Sequence, residues 1–203
     1  MISKLSFKKA VCLVLCLMLL FPSSLAAESG NDYEGSWAEE SIKILFAKGF
    51  VTGYPDGTFK PGAQISRAEF MAIANRAFGY NAKADISFKD IKNGEWHYDH
   101  VARAVKAGYI KGYTDGTIRP DSNITRLEAA VVLSRILGIE ENADTKILAY
   151  VRDIGKIQEW GVKGAAAIIS KGYLSLRKDA SFEPGTLLTR AEMAAAFEKS
   201  YLR

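Results

Sequence analysis

WHYDHVARAVKAGYIKGYTDGTIRPDSNITRLE, residues 96–128, contains one complete copy of the unit from which this chain is built. Trp96 is followed by Gly108 twelve residues on and by Arg126 eighteen further. The same spacing recurs at Trp37, Gly49, Arg67 and at Trp160, Gly172, Arg190, with successive copies 59 and 64 residues apart. Agreement of this kind marks one supersecondary unit, triplicated. Such a chain is better suited to binding something repetitive than to running one reaction.

Each unit reads as helix–loop–helix. After the Trp, apolar residues fall at i, i+3, i+4, i+7: Ile42, Leu45, Phe46, Gly49; Val101, Ala104, Val105, Gly108; Ala165, Ile168, Ile169, Gly172. That stripe is helical, and Gly at its end suits a left-handed C-cap. A loop follows, GFVTGYPDGTFKP over 49–61 and GYIKGYTDGTIRP over 108–120, with Asp-Gly turn chemistry in each. The second helix begins at Ser66, Thr125 or Thr189, each with Glu three residues later, at Glu69, Glu128 and Glu192. This is a capping box, in which hydroxyl and carboxylate satisfy each other's backbone amides. Gly79 and Gly138 close the first two of these helices. The expected fold is mainly α, with the repeats spanning 32–79, 86–138 and 150–203. Single units of this size rarely bury their own apolar faces, so the three are expected to pack around a shared axis as one domain. The five extra residues between copies two and three fall in 138–150, a longer connector.

Residues 1–27 carry Lys4, Lys8 and Lys9, an apolar run from Ala10 to Phe21, and Ser24-Leu25-Ala26. This pattern is a secretory signal peptide, and its apolar run of about 12 residues is too short to span a bilayer. Leu15 before Cys16 argues against a lipid anchor, so no stable membrane anchor is expected. Both cysteines, Cys12 and Cys16, lie in this segment, so the mature chain has neither disulfides nor thiolate metal ligands. The whole chain has a formal net charge of +4, but removing the three leader lysines leaves 24 basic and 23 acidic residues. That balance gives no support to nucleic-acid binding.

One residue is not demanded by the helix. Arg67, Arg126 and Arg190 each stand at the first helical position, where the positive end of the helix dipole makes a cation cost about 0.3–1 kcal/mol. A helix N-terminus favours anions, and an added guanidinium supplies bidentate recognition of carboxylate or phosphate. The alternative is an arginine reaching sideways to an inter-repeat acid, with Asp90 and Asp153 as candidates. Together, Ser66-Arg67-Ala68-Glu69, Thr125-Arg126-Leu127-Glu128 and Thr189-Arg190-Ala191-Glu192, the two GY-x-DGT loops and the Phe88-Lys89-Asp90-Ile91 lead-in resemble three tandem S-layer homology (SLH) motifs. The resemblance runs from about Asp32 to the C-terminus.

The resemblance implies a pseudo-threefold, three-pronged α-helical domain with grooves between neighbouring repeats. It also implies non-covalent binding of secondary cell-wall polymers, commonly through pyruvylated N-acetylmannosamine, at the cell surface. By position, Arg67, Arg126 and Arg190 would contact the anionic sugar. Trp37, Trp96 and Trp160 would be groove walls, or else aromatic anchors buried at helix starts. Tyr54, Tyr113, Gly53 and Gly112 would line the groove or shape the turn. Copy three has Leu176, Arg177 and Ala180 where the others have Gly, Tyr and Gly, so its loop is expected to differ in shape. Two working grooves are expected, with Arg67 and Arg126 dominant.

Competing chemistry is thin. His97 and His100 lack further ligands for zinc and are expected at the surface. The Asp-Gly turns lack the preceding acids of a calcium loop. No nucleophile elbow, phosphate loop or triad is present, so no catalytic residue, metal or cofactor is expected. A surface structural or interaction protein, whose repeats engage another surface protein or copies of themselves, is the alternative reading, and peptidoglycan is a further candidate partner.

Overall fold

A computed structural model describes residues 31–202; the leader expected over 1–27, with both cysteines, lies outside them. The α-helices are α1 (Glu39–Ala47), α2 (Arg67–Phe78), α3 (Tyr98–Ala107), α4 (Arg126–Ile136), α5 (Val162–Ser170) and α6 (Arg190–Tyr201). Short 3-10 turns cover Thr145–Tyr150, Ile154–Lys156 and Glu159–Gly161. Described residues form only isolated β-bridges besides. The architecture is mainly α, as the three stripes and capping boxes require.

All three capping boxes close. Ser66, Thr125 and Thr189 accept from the amides of Glu69, Glu128 and Glu192, and each Glu accepts from the N-cap amide. The next amides of these helices find partners in another repeat. Arg67 and Ala68 donate to the carbonyls of Ser122 and Pro120, Arg126 and Leu127 to Thr186 and Pro184, and Arg190 and Ala191 to Ala63 and Pro61. Orphan donors that every helix leaves at its start are thus used to join repeat one to two, two to three, and three back to one.

A second cycle lies beneath the first. Ile65 donates its amide to Leu188, Leu188 to Ile124, and Ile124 to Ile65, at 2.9–3.1 Å. All three side chains are fully buried. This triangle is the pseudo-threefold hub, and the chain closes on itself around it.

Each prong is a helix pair drawn from two repeats: α2 with α3, α4 with α5, and α6 with α1. Helices α4 and α5 approach closely. A Cβ on Gly161 would lie 2.5 Å from Leu127, and one on Gly164 would lie 2.7 Å from Val131. Only glycine permits that separation. The segment after α4 is not a plain connector, because its 3-10 turn Thr145–Tyr150 buries Leu148 and packs on α5.

The third loop departs from expectation. Arg177 and Ala180 reproduce the turn bonds of Tyr54–Gly57 and Tyr113–Gly116, and Asp179 accepts from Ser181 as Asp56 and Asp115 do from Thr58 and Thr117. Backbone bonding outweighs the lost glycine, so Ala180 is held at φ 62°. Asp32, Asp90 and Asp153 serve one purpose: each carboxylate accepts two successive loop amides, at Phe59-Lys60, Ile118-Arg119 and Phe182-Glu183. These acids hold loops rather than arginines. His97 is buried rather than at the surface, packed 5.4 Å from the Trp96 ring.

Candidate functional site

The signature arginines are between 1% and 5% exposed. Each fixes its Nε on the carbonyl of the residue that ends the next repeat's loop turn: Arg67 on Ile118, Arg126 on Phe182, Arg190 on Phe59, at 2.7–3.0 Å. Each then meets the capping Glu of that same repeat. Arg67 lies 3.4 Å from Glu128, Arg126 donates to Glu192 at 2.6 Å, and Arg190 reaches Glu69 at 3.5 Å. The inter-repeat acid exists, but it is the capping glutamate and not Asp90 or Asp153.

Three grooves follow, and each draws on three repeats. The first holds the loop at Gly53 and Tyr54, Glu69 and Arg76 of α2, Trp96 of the next repeat and Arg190 of the preceding one. The second holds Gly112, Tyr113, Glu128, Arg135, Trp160 and Arg67. The third holds Leu176, Arg177, Glu192, Lys199, Trp37 and Arg126. Their volumes are about 730, 540 and 400 Å³. The tryptophans are between 51% and 70% exposed, so they are walls and not buried anchors.

This offset corrects one expectation. Dominance of Arg67 and Arg126 requires each of these arginines to share a groove with its own repeat's loop. They do not: the two GY-x-DGT loops face Arg190 and Arg67, while Arg126 enters the groove of the divergent third loop.

The grooves also differ in how firmly the guanidinium is held. Among the described residues, Arg67 and Arg190 have no hydrogen bond on Nη2 and only loose contacts to their glutamates. Arg126 uses Nε, Nη1 and Nη2, the last on the Ser175 carbonyl at 2.9 Å. Arg177, which stands where the others have Tyr, adds a second guanidinium to Glu192 at 2.7 Å and pairs with Glu183. Burial alone would raise the Glu192 carboxyl, but the Thr189 amide, Arg126 and Arg177 outweigh it and hold it low.

In the first two grooves the tyrosine completes the arginine's cage. Tyr54 and Tyr113 donate to Glu69 and Glu128, and Arg190 and Arg67 lie 4.7 and 4.8 Å from their rings. Burial and the Glu128 carboxylate push the Tyr113 phenol up to about 12. Gly112 shapes its turn at φ 76°, where a Cβ would meet Phe88 at 2.5 Å; Gly53 is crowded by the Thr58 carbonyl.

One triplicated feature escaped the sequence reading. Arg76, Arg135 and Lys199 each lie seven residues after the capping Glu, two helical turns along the same face, and line the three grooves. They are exposed, whereas the signature Arg–Glu couple is nearly neutral. In the first groove the net positive charge therefore comes from this second cation; Lys111 adds to it in the second, where Arg135 pairs with Glu140, and Arg177 in the third. The recurrent seven-residue spacing was the available signal. The described residues hold no cluster of acids and histidines fit for a metal.

The S-layer homology domain model matches residues 31–71, 87–130 and 152–194. Similar proteins include a cellulosome-anchoring protein of Acetivibrio thermocellus, 33% identical over 163 residues, 76% of this chain and 36% of the relative. S-layer protein EA1 of Bacillus anthracis is 32% identical over 191 residues, 90% of this chain and 22% of its own length. Exoglucanase XynX of A. thermocellus is 31% identical over 172 residues, 81% and 15% respectively. The chain spans little more than a third, or less, of the length of these relatives.

Proposed function

The chain belongs to the S-layer homology domain family, and on that premise we propose that it is a secreted, non-catalytic module that anchors at the cell surface by binding an anionic secondary cell-wall polymer. The same stretch recurs in an anchoring protein, an S-layer protein and a glucanase. What they share is therefore not the glucanase's chemistry, and attachment is the common denominator. No helix among the described residues is long and apolar enough to cross a membrane.

One observation carries the reading: in each groove an exposed tryptophan shares the lining with a guanidinium anchored on a neighbouring repeat, and with a second cation two helical turns beyond the capping Glu. A flat apolar face opposite fixed donors suits a sugar bearing a carboxylate. Pyruvylated N-acetylmannosamine is such a sugar. The first two grooves, served by Arg190 and Arg67 with Nη2 uncommitted, are the binding pair. Arg126 is already saturated, so the third groove contributes less.

The test is sedimentation of the purified protein with native cell wall and with wall lacking the pyruvyl ketal. Pelleting with native wall alone is expected. Equal pelleting with both would defeat the carboxylate reading and point to peptidoglycan or a protein target.

A further inference from the structure

Beside the first groove lies a second concavity, about 330 Å³, between the end of α1, the end of α2 with its following turn, and the side of α3. Lys48, Arg76 and Arg103 line it, and no carboxylate does. Helix dipoles account for two of these cations, since Lys48 and Arg76 stand in or beside the final turns of α1 and α2. Arg103 has no such reason to be there, for it sits in the body of α3. Its Nε is buried with no hydrogen-bond partner, and so is Nδ1 of His100, one turn earlier on the same face. Among the described residues, neither Arg76 nor Arg103 has an ion pair; the nearest acid on α3, Asp99, is taken by Lys83.

Buried donors left unpaired cost free energy, and charged ones more. Three cations collected without a counter-charge cost more again, yet this arrangement occurs at one junction only. Where the second repeat has His100 and Arg103, the first has Ser41 and Ile44 and the third has Gly164 and Ala167. At the α4–α5 junction, Arg135 is compensated by Glu140. Repeat architecture therefore does not demand the cluster.

We infer that Lys48, Arg76 and Arg103 form a second anion site, which adjoins the first groove and shares Arg76 with it, that takes a phosphoryl group. Guanidiniums on two different helices offer planar forks from two directions, which suits a tetrahedral dianion with three terminal oxygens. A single carboxylate would leave most of the charge uncompensated. Asn75 donates to the His100 carbonyl at 2.9 Å and pins α2 to α3, so the two arginines are held in register. The phosphoryl group has two sources, free phosphate or a phosphorylated substituent of the wall polymer.

The probe is inorganic phosphate, with acetate at matched ionic strength as control, and the readout is the His100 imidazole by NMR. The chain has only two histidines, which makes assignment direct. Arg103, Arg76 and Asp99 are the charged groups that act on His100; burial, then Arg103 and Arg76, pull its pKa down, and Asp99 opposes them. Bound phosphate would neutralise the two arginines and raise that pKa. The expected result is a saturable shift with phosphate at lower concentration than with acetate; because His100 also lines the first groove, a phosphate shift that Lys48→Gln and Arg103→Ala both leave unchanged belongs to that groove. Affinity should fall about tenfold in Arg103→Ala and about threefold in Lys48→Gln, whose exposed side chain leaves folding untouched. Non-saturating shifts that are equal for both anions, or an unchanged affinity in both variants, would overturn the site. Pelleting then separates the sources. If Arg103→Ala weakens binding to intact wall but not to wall stripped of phosphoryl groups, the polymer supplies the ligand. If both walls bind equally, free phosphate does.

Discussion

At the scale of single residues, the capping glutamates do two things at once. Oε2 of Glu69, Glu128 and Glu192 accepts from the N-cap amide, while Oε1 faces the arginine of the preceding repeat. The local half of that arrangement was legible, because a capping box is written within four residues. The other half was not, since nothing in a sequence says which arginine a spare carboxylate oxygen will meet. One consequence concerns how the site is tested. Arg126→Ala leaves the buried Glu192 with Arg177 alone, so it should destabilise the fold by about 3 kcal/mol, read as a lower urea midpoint. Lost wall binding in that variant would therefore say little about contact. Tryptophans give the cleaner series, because they are exposed. Trp96→Ala and Trp160→Ala should each weaken pelleting with native wall about fivefold to tenfold at unchanged stability, since stacking faces contribute about 1 kcal/mol or more. Trp37→Ala, in the third groove, should have little effect. If all three behave alike, the distinction between open and saturated grooves is wrong.

At the scale of elements, helices and turns were predictable because their signals are local, but two positions show tertiary demands overriding propensity. Ala180 occupies a left-handed conformation that its type disfavours by about 1–2 kcal/mol. The bonds from the Arg177 amide to the Ser181 carbonyl and from Ser181 to the Asp179 carboxylate hold it there. Ala180→Gly should raise stability by about 0.5–1 kcal/mol, after the greater freedom of unfolded glycine is deducted, visible as a higher melting temperature. A fall would mean that the loop carries no strain. Gly164 is the converse case, a glycine inside α5 where helix propensity prefers alanine by about 1 kcal/mol. Its missing Cβ would lie 2.8 Å from the Val131 Cα, backbone that cannot step aside. Gly164→Ala should therefore destabilise by about 1–3 kcal/mol despite its better propensity. If it stabilises, α4 and α5 are not held at the separation described. Periodicity identified both helices but carried no information on how close they come.

At the scale of the whole molecule, the repeat in the sequence is not the unit that packs. Every prong pairs helices from two repeats, every groove uses three, and the hub needs Ile65, Ile124 and Leu188 together. Shared-axis packing was foreseeable from the small size of each unit; the exchange between units was not, because it depends on contacts such as Arg190 with Phe59, 131 residues apart. The closed ring makes a prediction that an open stack would not. In a linear solenoid, removing a terminal repeat deletes one interface and leaves the rest folded. Here, removing residues 139–203 strips α5 from α4 and α6 from α1. It also opens the hub and leaves Arg126 without its carboxylate. The remaining two repeats should therefore show no cooperative thermal transition by circular dichroism, whereas the full chain melts in one step. A cooperative melt of residues 31–138 would mean that closure is incidental and that each prong is stable alone. Closure also bears on binding. A rigid ring holds two open grooves at a fixed separation, so a polymer strand engaged in one presents its next sugars to the other at high effective concentration. A variant confined to one open groove should then lose much more affinity for polymer than for a single free sugar unit.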